Sequence, residues 1–253
     1  MSDTVGRVRL ALDCARTRHG VSVIELATKL GITEGSASRL ASALAQCELL
    51  ERDPATNRYS LGLALTHLGR AAIEQRPLTI VARRHLEELI PVIKSSVSVA
   101  VPRGNRAMYL DFVEFQSDDG FTVPPRPGRT LPFHTTALGK AILAGRPADE
   151  VARVLDDCPL PELTVHTITS KEALQKELAQ IAAQGFAIDD EESRLGTRCI
   201  AAPVCGEDGY TIAAISSSNS THFMTDARIE AIRGPLQTAA RRISRALGSP
   251  ESG

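Results

Sequence analysis

Residues 22–46 read SVIELATKLGITEGSASRLASALAQ. Ser22 followed by Glu25 is a capping box: the serine oxygen accepts a helix N–H while the glutamate reaches back to the cap. Val23, Leu26, Ala27 and Leu30 then recur at helical spacing. Gly31 supplies the left-handed residue that stops this helix. Thr33 caps the next one, which starts at Glu34. Two short helices joined by a tight turn containing glycine form a helix-turn-helix pattern. The second helix is small and polar at its leading end, with Gly35, Ser36 and Ser38 around Arg39, and apolar behind, at Leu40, Ala43 and Leu44. A helix end without bulk can approach base edges closely. Ser36 and Ser38 then hydrogen-bond, and Arg39 pairs with phosphate or guanine, with Ser22, Thr33 and Gly35 as further candidate DNA contacts. The same pattern also suits a plain three-helix packing unit with a capped, solvated helix start.

The flanking residues favour nucleic acid. Upstream, Val8, Ala11, Leu12 and Ala15 place a helix over residues 5–18. Downstream, residues 49–52 and 58–61 read as short strands around the turn formers Asp53-Pro54-Ala55-Thr56-Asn57. A helix-turn-helix followed by a hairpin is a winged helix, with Arg52, Asn57 and Arg58 on a wing that reaches phosphates or the minor groove. Helical pattern then continues on both sides of Pro77, with Leu65, Leu68, Ala72 and Ile73 in one stripe and Ile80, Leu86, Leu89 and Ile90 in another. Proline interrupts a helix interior, so the run divides there. This gives a winged domain over 1–62, a linker helix over 63–76 and a second domain over 77–250. The linker stripe packs either on its own chain or on a second subunit.

From Ser96 the periodicity changes. SVSVAVPRGNRAMYLDFVEF reads as two strands around Gly104-Asn105, and PPRPGRTLP as a loop. FHTTALGKAILAG is a helix capped by Thr135 or Thr136. ADEVARVLDD and SKEALQKELAQIAAQG are two more helices, the second capped by Ser170 and closed by Gly185. FAIDD, RCIAAPV and YTIAAISSS are strands, and a last helix runs from Thr225 to about Leu247, bent near Pro235. The expected fold class is α+β with a mainly antiparallel sheet.

Composition bounds the function classes. The chain has 253 residues, 43% hydrophobic and 23% charged, enough for two cored domains. Net charge is −1: residues 1–76 carry 10 Lys and Arg against 8 Asp and Glu, a balance of +2, and the remainder −3. A nucleic-acid face therefore has to be local. Five cysteines without a C-x-x-C pair, no apolar signal core and no membrane-length run fit a cytoplasmic chain with reduced thiols. Cys and His lack ligand spacing, so neither a metal nor a cofactor is expected.

The order of LPFHTTALGKAILA, GFAIDDEESRLGTRCIAAPV and AAISSS behind a winged helix resembles the IclR family of bacterial transcriptional regulators over nearly the whole chain. The resemblance implies a GAF-like C-terminal effector domain, homodimers that pair into dimers of dimers, palindromic double-stranded operator DNA, and a small organic-acid effector. It carries Ala137, Leu138, Asp189, Thr197 and Cys199 onto the effector site, with Gly120 and Val123 as further candidates. Where many members have a Ser-Gly-Pro turn, this chain has SSSNSTHF. The residues themselves add to this. The N–H groups of Thr136, Ala137 and Leu138 at a helix start suit a carboxylate, and Ser216 and Ser218 share one strand face. His134, beside them in sequence, is a further candidate for the effector site. Asp189 can accept from a ligand hydroxyl or pair with Arg194 or Arg198. A rival reading is an enzyme with a Cys199 nucleophile and a His134 base, oriented by Asp189 or Asp190. Another is a winged-helix oligomerisation module without a ligand. No nucleophile motif surrounds Cys199, so no catalytic residue is expected.

Overall fold

The computed structural model describes residues 4–115 and 126–250. The chain divides into two compact units, Met1–Gln75 and Arg76–Gly253.

The first unit contains α1 (Thr4–Cys14), α2 (Val23–Leu30), α3 (Glu34–Gln46), β1 (Leu50–Arg52), β2 (Tyr59–Leu61) and α4 (Ala64–Glu74). The Ser22–Glu25 capping box forms in both directions, Gly31 is left-handed at φ 63°, and the Thr33 side chain caps α3. The α3 stripe that enters the core is Ala37, Ala41 and Leu44, packed with Ala11, Leu26, Leu50 and Tyr59. Ala43, read as part of that stripe, is exposed, and Leu40 is only half-buried. Spacings of four and three residues place 37, 41 and 44 on one face, from which position 43 is turned away. Val21 and Tyr59 exchange two backbone hydrogen bonds of 2.8 Å, which adds a third, one-residue rung to the β1–β2 hairpin. The linker helix α4 groups with this unit, and none of its residues is buried.

The second unit contains α5 (Pro77–Ile93), β3 (Val97–Arg103), β4 (Arg106–Val113), β5 (Thr130–Pro132), α6 (Ala137–Ala144), α7 (Ala148–Asp157), α8 (Lys171–Gln184), β6 (Ala187–Asp190), β7 (Thr197–Cys205), β8 (Thr211–Ser220) and α9 (Asp226–Ala246). The sheet order is β5-β4-β3-β8-β7-β6, antiparallel throughout. The segment read as a loop, PPRPGRTLP, ends in β5, a three-residue strand. It lies at the sheet edge, where a proline costs no ladder bond. Ile80, read as part of the α5 stripe, is 65% exposed, and Thr79 and Ala82 are buried in its place. Both α5 and α9 continue through an internal proline.

Small residues set the layering. Ala100, Ala107, Ala187, Ala201 and Ala214 on one sheet face pack with α6, behind which lie α7 and α8. Methyl-sized side chains let that helix approach the sheet closely. Val99, Ile200 and Ile215 alternate with these alanines and face the other way, toward α5 and α9.

Candidate functional site

Strand register builds one wall of a cavity. Asp189 lies opposite Cys199, and Cys199 opposite Ser218. One step along the same face, Ser216 lies opposite Ala201 on one side and Ser98 on the other. The start of α6 stands over this row. Thr136 caps the helix, its Oγ1 accepting from the Gly139 N–H at 3.0 Å and donating to the Pro132 carbonyl at 3.3 Å. Gly139 lets the incoming segment lie tight on the first turn: a Cβ there would sit 2.5 Å from the Phe133 carbonyl oxygen. Ala137 and Leu138, at the first two helical positions, have no intrahelical acceptor for their N–H groups.

These elements enclose about 490 Å³. Thr135, Thr136, Ala137 and Leu138 line it from α6, and Asp189, Thr197, Cys199, Ser216 and Ser218 from the sheet side. Among the described residues the buried hydroxyls of Thr135 and Thr197 have no hydrogen-bond partner. A buried unpaired hydroxyl costs free energy unless something enters to satisfy it. Tyr109, Arg106, Arg129 and Arg194 also line the cavity, and the three arginines are exposed. Reasoning from sequence gave no site role to any of these four. Tyr109 lies two residues from the buried Ala107 on β4 and so on the same face, so period-two counting was a usable signal for it. The arginines come from three separate segments and had none.

Asp189 lines the cavity but is already engaged. Oδ1 accepts from the backbone N–H groups of Glu192 (2.8 Å) and Ser193 (3.2 Å), and Oδ2 accepts from Ser193 Oγ (2.6 Å). Burial raises its carboxyl pKa, and these bonds oppose the shift. Asp189 therefore folds the β6–β7 loop. Arg198, weighed as its partner, instead meets Asp190 at 3.1 Å and Asp226 at 2.7 Å. The loop is tied at three further points. Thr164 Oγ1 donates to the Glu191 carbonyl (2.7 Å), Thr167 Oγ1 to the Glu192 carbonyl (2.7 Å), and buried Lys140 of α6 to Glu192 Oε1 (2.5 Å).

The enzyme reading finds no support in this geometry. Burial, with Asp189 alongside, pushes the Cys199 thiol well above its ordinary value, away from the reactive thiolate. His134 does not line this cavity. It lines a smaller one of about 210 Å³ with Cys158, Leu155 and Leu174, and its Nε2 lies 3.1 Å from the Pro161 carbonyl. Burial lowers its pKa. A base in one cavity does not serve a thiol in the other. Gly120 and Val123 lie outside the described residues.

In the winged unit, Thr33, Gly35 and Arg39 are exposed, and Ser36 and Ser38 half-buried, at the leading end of α3. Thr33 Oγ1 donates to Ser36 Oγ at 3.0 Å, and Arg39 Nη2 reaches the same oxygen at 3.3 Å. A Cβ on Gly35 would meet open space. On the wing, Arg52 Nη2 donates to Asn57 Oδ1 at 2.7 Å, and Asn57 takes a left-handed φ of 56°. Two further candidate contact residues are tied into the fold of the unit. Ser22 is engaged in its capping box. Arg58, placed on the wing by sequence, instead bonds the His19 carbonyl (2.7 Å), the Gly20 carbonyl (3.2 Å) and Glu25 Oε2 (2.6 Å).

Comparison with known proteins fits both units. Residues 12–54 match the IclR helix-turn-helix domain, and residues 70–245 match the bacterial transcriptional regulator IclR C-terminal domain. The chain is 30% identical over 230 residues to the HTH-type transcriptional regulator XynR of Escherichia coli (strain K12), covering 91% of this chain and 90% of that one. It is 32% identical over 234 residues to the HTH-type transcriptional regulator BhcR of Paracoccus denitrificans (strain Pd 1222), covering 92% and 83%. The crystal structure of Thermotoga maritima IclR superposes with a TM-score of 0.76 at 28% identity, covering 97% and 98%. These relatives are transcriptional regulators, not enzymes. With a helix-turn-helix matched at one end and the effector-domain model over most of the rest, the chain belongs to the IclR family of bacterial transcriptional regulators.

Proposed function

We propose that this regulator binds palindromic operator DNA as a homodimer or dimer of dimers, and that a small organic acid in the cavity at the start of α6 changes its affinity for that DNA. The observation that carries the reading is the pairing of two unpartnered buried hydroxyls, Thr135 and Thr197, with the unbonded N–H groups of Ala137 and Leu138. A carboxylate placed there accepts from both sets and meets the favourable end of the helix dipole. The apolar stripe of α4 supports a second copy: Leu68 is 59% exposed and nothing in its own unit covers it. A dimer reads two half-sites about one helical turn of DNA apart, so a small change in the placement of the two winged units weakens or restores binding. The coupling must be reciprocal, with operator DNA changing acid affinity by the same factor.

The test is operator binding, followed by fluorescence anisotropy, across a panel of aliphatic and aromatic acids. At least one acid shifts the affinity, and Ala137→Phe, which fills the space at the helix start, removes that shift while leaving operator binding without acid nearly intact. A full response in a folded Ala137→Phe protein places the effector elsewhere.

A further inference from the structure

The cavity has a second pole that a simple acid leaves unmatched. Arg106 at the start of β4, Arg129 just before β5 and Arg194 in the β6–β7 loop all line it. Arg106 is held in place by Thr130, with Nε donating to Thr130 Oγ1 at 3.1 Å and Nη2 to the Thr130 carbonyl at 3.4 Å. That fixes it beside the neighbour of Arg129. None of the three guanidinium groups meets a carboxylate among the described residues. Other arginines of the same unit do: Arg84 with Glu88, Arg146 with Glu150, Arg198 with Asp190 and Arg233 with Glu230. Among the described residues Asp189 is the one carboxylate lining the cavity, and its oxygens are occupied by Glu192 and Ser193 just beyond it.

Two separate features of the cavity thus favour negative charge: neutral donors at the α6 start and three exposed cations that meet no carboxylate among the described residues. Like charges brought together at a rim repel unless an anion sits among them. Guanidinium groups grip carboxylates by paired, charge-assisted hydrogen bonds.

We propose that the effector is a dianion, a short dicarboxylic acid, with one carboxylate at the Thr135–Leu138 helix start and the other among Arg106, Arg129 and Arg194. This rests on the reading of the cavity as the effector site, and adds the class of acid it selects.

Calorimetric titration of the full chain with matched acids tests it: succinate against butyrate, glutarate against valerate, adipate against hexanoate. Each pair shares its carbon count and differs by one carboxylate. At least one diacid binds about tenfold or more tightly than its partner, the scale of a charged hydrogen bond gained. The preference shrinks as salt is raised, because the arginines are exposed. The double variant Arg129→Gln, Arg194→Gln loses most of the preference while keeping the affinity for the monoacid. Equal binding within every pair, or a preference that survives the double variant, overturns the dianion and leaves the cavity standing as a monoacid site. Failure of every diacid to bind also overturns it, since an acid of another class can still fill the cavity. Diacid binding that persists unchanged in Ala137→Phe removes the cavity itself, and the inference with it.

Discussion

Lys140 and Glu192 join α6 to the β6–β7 loop through a buried ion pair, with Lys140 Nζ 2.5 Å from Glu192 Oε1. Glu177 of α8 shares the same ammonium at 3.1 Å. Both partners of the short contact are almost fully buried, so the loop that follows Asp189 and carries Ser193 and Arg194 is clamped to the helix whose start forms the opposite wall.

That clamp gives a pH dependence. Burial pushes the Glu192 carboxyl up to about 7 from its ordinary 4.5, with Lys140 opposing the shift. The native state therefore holds a proton that the unfolded chain has already released. The stability contributed by Glu192 is full below its ordinary value and is lost as pH rises through about 7. Urea unfolding of the full chain at about pH 5 and about pH 8 measures this. The midpoint falls between the two in the parent, and Glu192→Gln flattens the difference. An identical pH difference in the two proteins removes Glu192 from the linkage.

Gly139→Ala tests the tight packing at the helix start. The new Cβ would lie 2.5 Å from the Phe133 carbonyl oxygen and 2.6 Å from its Cα, and backbone cannot yield as a side-chain tip does. The expected cost is on the order of 1–3 kcal/mol, the range for overpacking. Because the displaced segment carries Thr135 and Thr136, acid binding falls more than operator binding. An unchanged melting temperature and unchanged acid affinity would show that the segment moves freely.

What could be read from the sequence was local. The capping box at Ser22, the left-handed Gly31 and the caps Thr33, Thr136 and Ser170 are set by neighbours three residues away, and each forms. Features set by long-range pairing were missed or misread. β5 exists because β4 supplies a partner edge, and nothing in PPRPGRTLP encodes that. Asp189 looked like a ligand for something outside its loop, yet Glu192 and Ser193 just beyond it take its oxygens. Arg58 carried the charge of a phosphate contact, but its partners His19, Gly20 and Glu25 lie more than thirty residues back along the chain. The arginine rim could be seen only once three segments had been brought together.

Thiol reactivity separates a regulator from an enzyme at Cys199. Cys199 is half-buried and desolvation pushes its thiol well above the ordinary value, whereas Cys47 is exposed. Alkylation of the native protein with iodoacetamide, mapped by peptide mass spectrometry, labels Cys47 first and leaves Cys199 unmodified until the chain unfolds. Early labelling of Cys199, together with turnover of an ester lost in Cys199→Ser, would restore the nucleophile reading.

Arg39 and Arg58 make opposite demands on one experiment. Arg39 is exposed at the leading end of α3, and its one described contact is the Ser36 hydroxyl at 3.3 Å, a weak tether that a base or phosphate can replace. Arg58 is half-buried and ties the hairpin to the turn before α2 through two carbonyls and Glu25. Arg39→Ala therefore leaves the melting temperature of the winged unit nearly unchanged and weakens operator binding by about 1–3 kcal/mol if the guanidinium contacts a base. A phosphate contact instead weakens all sequences alike and lowers the salt slope by about one. Arg58→Ala lowers the melting temperature, and its loss of operator affinity follows the fraction unfolded, so cooling recovers it. Anisotropy titrations at several salt concentrations, paired with thermal denaturation, resolve the two. If Arg58→Ala keeps its stability and loses operator affinity at every temperature, its guanidinium belongs to the DNA surface after all. If Arg39→Ala binds operator as tightly as the parent, the leading end of α3 is not where the sequence is read.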